Sequence, residues 1–456
     1  MSRVPVGVVV ALLATACSYD WDRYDPRGAA GSVGGAGAAN AAGSGGSAKG
    51  GSGGSGGSGG IGGSGGSGSS GSGGSSGSGG SGGSGSSGSS GSGSGGGNGG
   101  GGASGSGASG SGGAATGGAG GSATAPSILV LAAQGTTGAF AASYTSAKGW
   151  KSAPAIPTVL SGTPALSTIG GLPIAVARGS TDVLALSTWN GAAFTTFQAL
   201  PGAPSASDGP SLAGGATIVT LAFRSAAGTL ESATWAGPGF GAAEPFASDV
   251  PAAFGNSTPS VARAGIRAWG AYSGANDGLY VASRDDGAAW TTSSAIAGAG
   301  SKNLIAPTVA IALDGHPIVT FVRGGVTNDS AVCVSDYAAA SWTAPVCIPK
   351  AFTSRSVGAA VSAGGALVVA WHGFLEEGIY AAVRSPTGNW SPVLPVDTTA
   401  GPAGAPVVVS GVTGADAEVL YAKAKEVRHA RVVSDAIESP VSVGGTLATE
   451  VGATVY

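Results

Sequence analysis

From Pro126 to its last residue the chain repeats itself about every 48 residues, and three unrelated markers keep the same step. The first heads an apolar stretch: Pro164, Pro210, Pro259, Pro307, Ser356, Pro406 and Glu450. The second closes a continuous apolar run: Gln134, Arg178, Arg224, Ser273, Arg323, His372 and Lys423. The third is an aromatic residue following a turn: Trp150, Phe194, Phe240, Trp290, Trp342 and Trp390, with Ile437 in the seventh place. Between the markers lie short strand-like runs punctuated by Gly, Pro, Asp and Ser, with no helical periodicity. In the fifth unit, strands are expected over 308–313, 317–323, 330–336 and 342–348. Four strands at this period make one blade of a radial all-β array, a β-propeller. Runs such as 218–223 and 367–371 are apolar throughout, as suits a strand sandwiched between two neighbouring blades.

The two ends of this region count the blades. Residues 127–130 open on a second strand with no first strand before it, and 450–456 form a first strand with nothing after it. Pairing them completes one blade from both termini and removes the open edges of the ring. The expected fold is therefore an all-β, seven-bladed β-propeller over 126–456, with six or eight blades if one repeat is misread.

One turn is more specific than the rest: Ser283-Arg284-Asp285-Asp286-Gly287-Ala288-Ala289-Trp290. It reads as a hairpin connection in which Asp285 accepts turn N–H groups, Gly287 supplies unrestricted backbone and Trp290 opens the next strand. Weaker copies occur before Trp342 and Trp390. The pattern resembles the Asp-box of sialidase-like propellers. That resemblance makes Ser283, Asp285, Gly287 and Trp290 structural and puts them on the face away from the ligand. Sialidases also carry an Arg-Ile-Pro segment, which this chain lacks, so no catalytic residue is carried over. Repeats of similar length occur in seven-bladed lectins, a likeness of architecture with no sugar-binding motif matched residue by residue.

On the opposite face the second marker series places Arg178, Arg224, Arg323, His372 and Lys423 at equivalent strand ends. Lys302, Lys350 and Arg355 lie on connections of that face. Two readings stand: a cationic rim suited to carboxylate or sulfate, or side chains that merely snorkel at strand ends. The loop 372–378 adds Glu376 and Glu377, which suit a glycosidase pair, a ligand contact or a solvated loop. Tyr272, Trp371 and Tyr421 suit sugar stacking or packing between blades. No catalytic residue, cofactor or metal site is expected; His316, His372 and His429 have no ligand-like spacing. A net charge of −3 with 9% charged residues argues against nucleic acid.

The first third is a different material. Residues 1–17 read as a signal sequence, and Ala14-Thr15-Ala16-Cys17 resembles the lipobox of bacterial lipoproteins, with Ala14 where leucine is usual. The resemblance implies lipidation at Cys17 and, with Ser18 next, the outer membrane; the alternative is an ordinary cleaved signal. A charged and aromatic collar spans 18–27. Residues 28–125 are nearly all Gly, Ser and Ala, a composition expected to stay disordered and to act as a tether with a reach of roughly 50–60 Å. Cys333 and Cys347 remain as a pair flanking the Trp342 turn, either as a disulfide adding about 3 kcal/mol or as two buried thiols. The chain is thus expected to be a monomeric, lipid-anchored recognition module for glycans, cell-wall material or a cell-surface protein. The alternatives are a divergent sialidase-like hydrolase and a structural envelope protein.

Overall fold

A computed structural model describes residues 126–456, except 203, 238, 247–257, 275–277, 292–293, 301–304, 324–329, 375–376, 400, 413 and 447. The expected signal, Cys17, the collar, the linker, Lys302 and Glu376 lie outside the described residues. Seven antiparallel sheets are present, each built outward from one inner strand. In blade 1 that inner strand is Glu450–Val455, followed by Ile128–Ala133, Ala139–Thr145 and Gly149–Ser152. Ile128 pairs with Val455 and Ala133 with Glu450, and Ser127 and Tyr456 exchange backbone hydrogen bonds of 2.9 Å. The two ends of the repeat region therefore close the ring, as their missing strands require.

Blades 2 to 7 start from the inner strands Leu160–Ile169, Ser211–Gly214, Ser260–Ala264, Thr308–Ile311, Gly358–Val361 and Pro402–Ser410. Two of these begin earlier than the proline marker. Pro164 and Pro406 sit within their strands, and the register shifts between Ser161 and Ala165 and between Ala403 and Val407. Proline offers no N–H to the ladder, so the pairing skips around it. In blade 5 the outer strand splits into Ser341–Trp342 and Val346–Phe352, both paired with Ala331–Ala338. Cys333 and Cys347 face each other across this pairing and are joined as a disulfide.

The core lies between blades. Along Ile128–Ala133, Ile128, Val130 and Ala132 pack into the cluster shared with blade 7, while Leu129, Leu131 and Ala133 pack into the one shared with blade 2. Burial on both faces is why the second strands read as unbroken apolar runs. At the axis the inner strands nearly touch. A Cβ on Gly452 would lie 2.0 Å from the Pro164 carbonyl oxygen, so only glycine fits there. Further out, Trp290 Nε1 donates to Ser232 Oγ of blade 3 at 2.8 Å, and Trp150 Nε1 donates to His429 Nδ1 of blade 7 at 3.1 Å. The aromatic marker thus ties a blade to the one before it.

The motif at 283–290 is a turn as expected, with Gly287 at φ 76° and Ala288 N donating to the Asp285 carbonyl at 3.0 Å. Two details differ. The Asp285 carboxylate binds Arg267 across the hairpin at 2.7 and 3.0 Å, because that guanidinium lies directly opposite it in the ladder. Trp290 precedes the outer strand, which runs Ser294–Gly300. The buried anchor is the neighbouring pair: Asp286 holds Arg263, whose Nη1 also reaches Thr220 Oγ1 of blade 3 at 2.9 Å.

Candidate functional site

Strand direction gives the propeller two distinct faces. Inner-strand starts pair with second-strand ends, as in Leu160 with Gly179 and Pro402 with Lys423. Second-strand starts pair with third-strand ends on the other face, as in Arg267 with Asp285. The first face, called the front, carries the second marker series; the motif turn is on the back.

A cavity of about 500 Å³ occupies the front half of the central channel. Its wall includes Glu450, Thr163, Asp208 and Thr258 from blades 1 to 4, with Arg355 on blade 6. Farther along the same inner strands come aliphatic residues such as Leu166, Leu212 and Val309. Thr163 Oγ1 donates to Glu450 Oε2 at 3.0 Å. Burial pushes the Glu450 carboxyl above its ordinary range and the Asp208 charge adds to this, while the Thr163 hydrogen bond and the Arg355 charge oppose it. Thr258 is 8% exposed, and its hydroxyl has no hydrogen-bond partner among the described residues.

None of the five residues of the cationic series lines this cavity. Arg178 donates to Ser161 Oγ at 2.8 Å and to the Ser207 carbonyl at 2.9 Å, stitching blade 2 to the entry of blade 3, and also pairs with Asp182 at 3.2 Å. Lys423 is held by Asp397 of blade 6. Arg224 ends its strand partly buried, and Arg323 lies exposed just past the strand Pro317–Val322. The structure therefore disperses the series into local contacts. Tyr272, Trp371 and Tyr421 are buried between blades, and the Tyr421 hydroxyl donates to Asp397 at 2.9 Å.

His372 differs from the rest of its series. It is 8% exposed and its Nδ1 has no partner among the described residues. Burial and the Arg355 charge hold its pKa below the ordinary value, against the opposing Glu377 charge and a hydrogen bond with the Gly373 backbone. Immediately beyond it Phe374 stands exposed, and its N–H donates to the carbonyl of Phe352, also exposed, at 3.0 Å. Blades 5 and 6 thus meet at the front in a junction that displays two aromatic rings beside a buried histidine. The Asp-box resemblance directs attention to this face, but the backbone bond between Phe374 and Phe352 is not visible in the chain order.

Sequence reasoning passed over Thr163, Asp208 and Thr258. The signal was present: each lies one or two positions before its proline marker, and Arg355 lies one before Ser356. Residues at that phase of the repeat face the axis. Among the described residues no group of three or more His, Cys, Asp or Glu could hold a metal ion.

No protein-family model matches the chain, and no curated protein matches it. Solved structures do. The BP39L lectin from Burkholderia pseudomallei superposes with a TM-score of 0.57 at 17% identity, over 70% of this chain and 95% of that one. AofleA from Arthrobotrys oligospora gives 0.49 at 14% identity, over 65% and 90%. The fucose-specific lectin from Aleuria aurantia gives 0.43 at 16% identity, over 60% and 93%. At such identities the likeness to the Burkholderia lectin establishes one thing, the fold: this chain carries a β-propeller.

Proposed function

We propose that the chain is a recognition module that binds carbohydrate on its front face, where blades 5 and 6 meet. The observation that carries this reading is the junction itself: exposed Phe352 and Phe374, linked through their backbones, beside His372 with an unpartnered buried Nδ1. Aromatic rings cover the C–H face of a sugar, and the neighbouring Glu377 and Arg355 exchange hydrogen bonds with its hydroxyls. The fold likeness to a protein named as a lectin supports the ligand class. Anchoring at Cys17 in a bacterial outer membrane, with 28–125 as a tether, completes the proposal and rests on the lipobox resemblance alone.

The test is a glycan array probed with the chain and with Phe352→Ala/Phe374→Ala. Binding to a defined glycan subset that falls at least tenfold in the double variant is expected. A silent array, or binding unchanged in the variant, overturns the reading. For the anchor, cells fed labelled palmitate should label the wild-type chain and not Cys17→Ser; equal labelling would remove the lipoprotein assignment.

A further inference from the structure

The central cavity has a chemistry that the blade 5–6 junction does not share. Its walls carry charges of both signs: Glu450 and Asp208 come from blades 1 and 3, and Arg355 from blade 6. Leu166, Leu212 and Val309 also border it, with their side chains buried in the cores between blades. On blade 4 Thr258 borders the same space, its hydroxyl buried and without a partner among the described residues.

We infer that this cavity binds a small zwitterion of the α-amino acid type. The ammonium group sits beside Glu450 and Asp208, and the carboxylate pairs with Arg355. A guanidinium is matched to a carboxylate by two parallel hydrogen bonds. An ammonium gives three donors to the oxygen-rich wall. Either charge alone would leave one wall of the cavity unanswered. At about 500 Å³ the space is within the range of small-molecule sites and exceeds one amino acid, which leaves room for water or a short peptide. This inference is independent of carbohydrate binding and stands on different residues apart from Arg355.

Isothermal titration of the full-length chain with L-leucine tests it, alongside 3-methylbutylamine, which lacks the carboxylate, 4-methylpentanoate, which lacks the ammonium, and D-galactose. L-leucine is expected to bind, with the amine and the acid each at least tenfold weaker, a difference of about 1.4 kcal/mol. Glu450→Gln and Arg355→Gln should each weaken L-leucine at least tenfold. If either variant fails to fold, the analogue series on the wild-type chain still decides. No heat from L-leucine at 10-fold molar excess over a ~1 mM threshold for weak sites overturns the inference. Equal binding of the amine assigns the cavity to cations and overturns it, and equal binding of D-galactose assigns it to sugars and does the same.

Discussion

The propeller buries two histidines at two different places, and they are finished differently. His429, 2% exposed, stands at the seam between blade 7 and blade 1. Its Nδ1 accepts from Trp150 Nε1, and its Nε2 lies 2.7 Å from Glu418 Oε2. Indole can only donate, so the ring proton is on Nε2 and is given to the carboxylate. Glu418, fully buried, takes the Val412 N–H at 3.1 Å on its other oxygen. His372 is almost as buried, yet its Nδ1 is left open and its surroundings are exposed aromatic rings. The first region uses its polar groups to hold together strands from the two ends of the repeat region. The second keeps a buried polar atom without a partner among the described residues.

The contrast can be broken first at the closing seam. Gly452→Val would drive a side chain into the Pro164 carbonyl, so blade 1 could not seat its inner strand. A loss above about 4 kcal/mol is expected, read as collapse of the urea transition; a wild-type midpoint would show that the seam has slack. Glu418→Ala comes next, at about 3–5 kcal/mol, because it leaves the His429 and Val412 donors buried and unpaired. Glu418→Gln keeps an acceptor for one of them and should cost clearly less; equal losses would mean that shape, not hydrogen bonding, holds the seam.

Smaller effects should appear on the other side of the comparison. The folded-state pKa of His372 is depressed, so the unfolded chain binds its proton more readily. Its contribution is full above the unfolded value of about 6.5 and is lost as pH falls through the folded value. The urea midpoint should therefore drop between pH 7 and pH 5, and His372→Gln should flatten part of that slope. Glu450 works in the opposite sense: its raised folded pKa makes its contribution full below about 4.3 and lost as pH rises through the folded value. Glu450→Gln is expected to be mildly stabilising at pH 7. Phe374→Ala closes the series with a change within about 0.5 kcal/mol, as for an exposed side chain, while glycan retention falls. A large stability loss there would make Phe374 a packing residue and erase the difference between the two regions.

The fold was legible because its determinants are local and repeated. Apolar runs, turn residues and the proline phase gave seven units, and the missing strands at 127–130 and 450–456 implied closure. The site was legible only in part. Equivalent positions suggested equivalent roles for Arg178 and Lys423, yet each is captured by a neighbour that the repeat does not specify: the Ser207 carbonyl for one, Asp397 for the other. The motif aspartate Asp285 matched a known pattern, while the more buried bond at that turn belongs to Asp286 and Arg263. A pattern in sequence reports which backbone conformation is repeated; it does not report what a side chain finds across a seam.

By itself, then, the sequence determined the period, the strand class, the number of blades and the face on which each marker lies, since these follow from alternation and turn chemistry within some fifty residues. Only the tertiary structure decided which polar groups are satisfied. Thr163 and Glu450 are 287 residues apart in the chain, and Trp150 and His429 are 279 apart. A propeller brings such pairs together by closing on itself, so the charges at its axis meet one another only once the ring is complete.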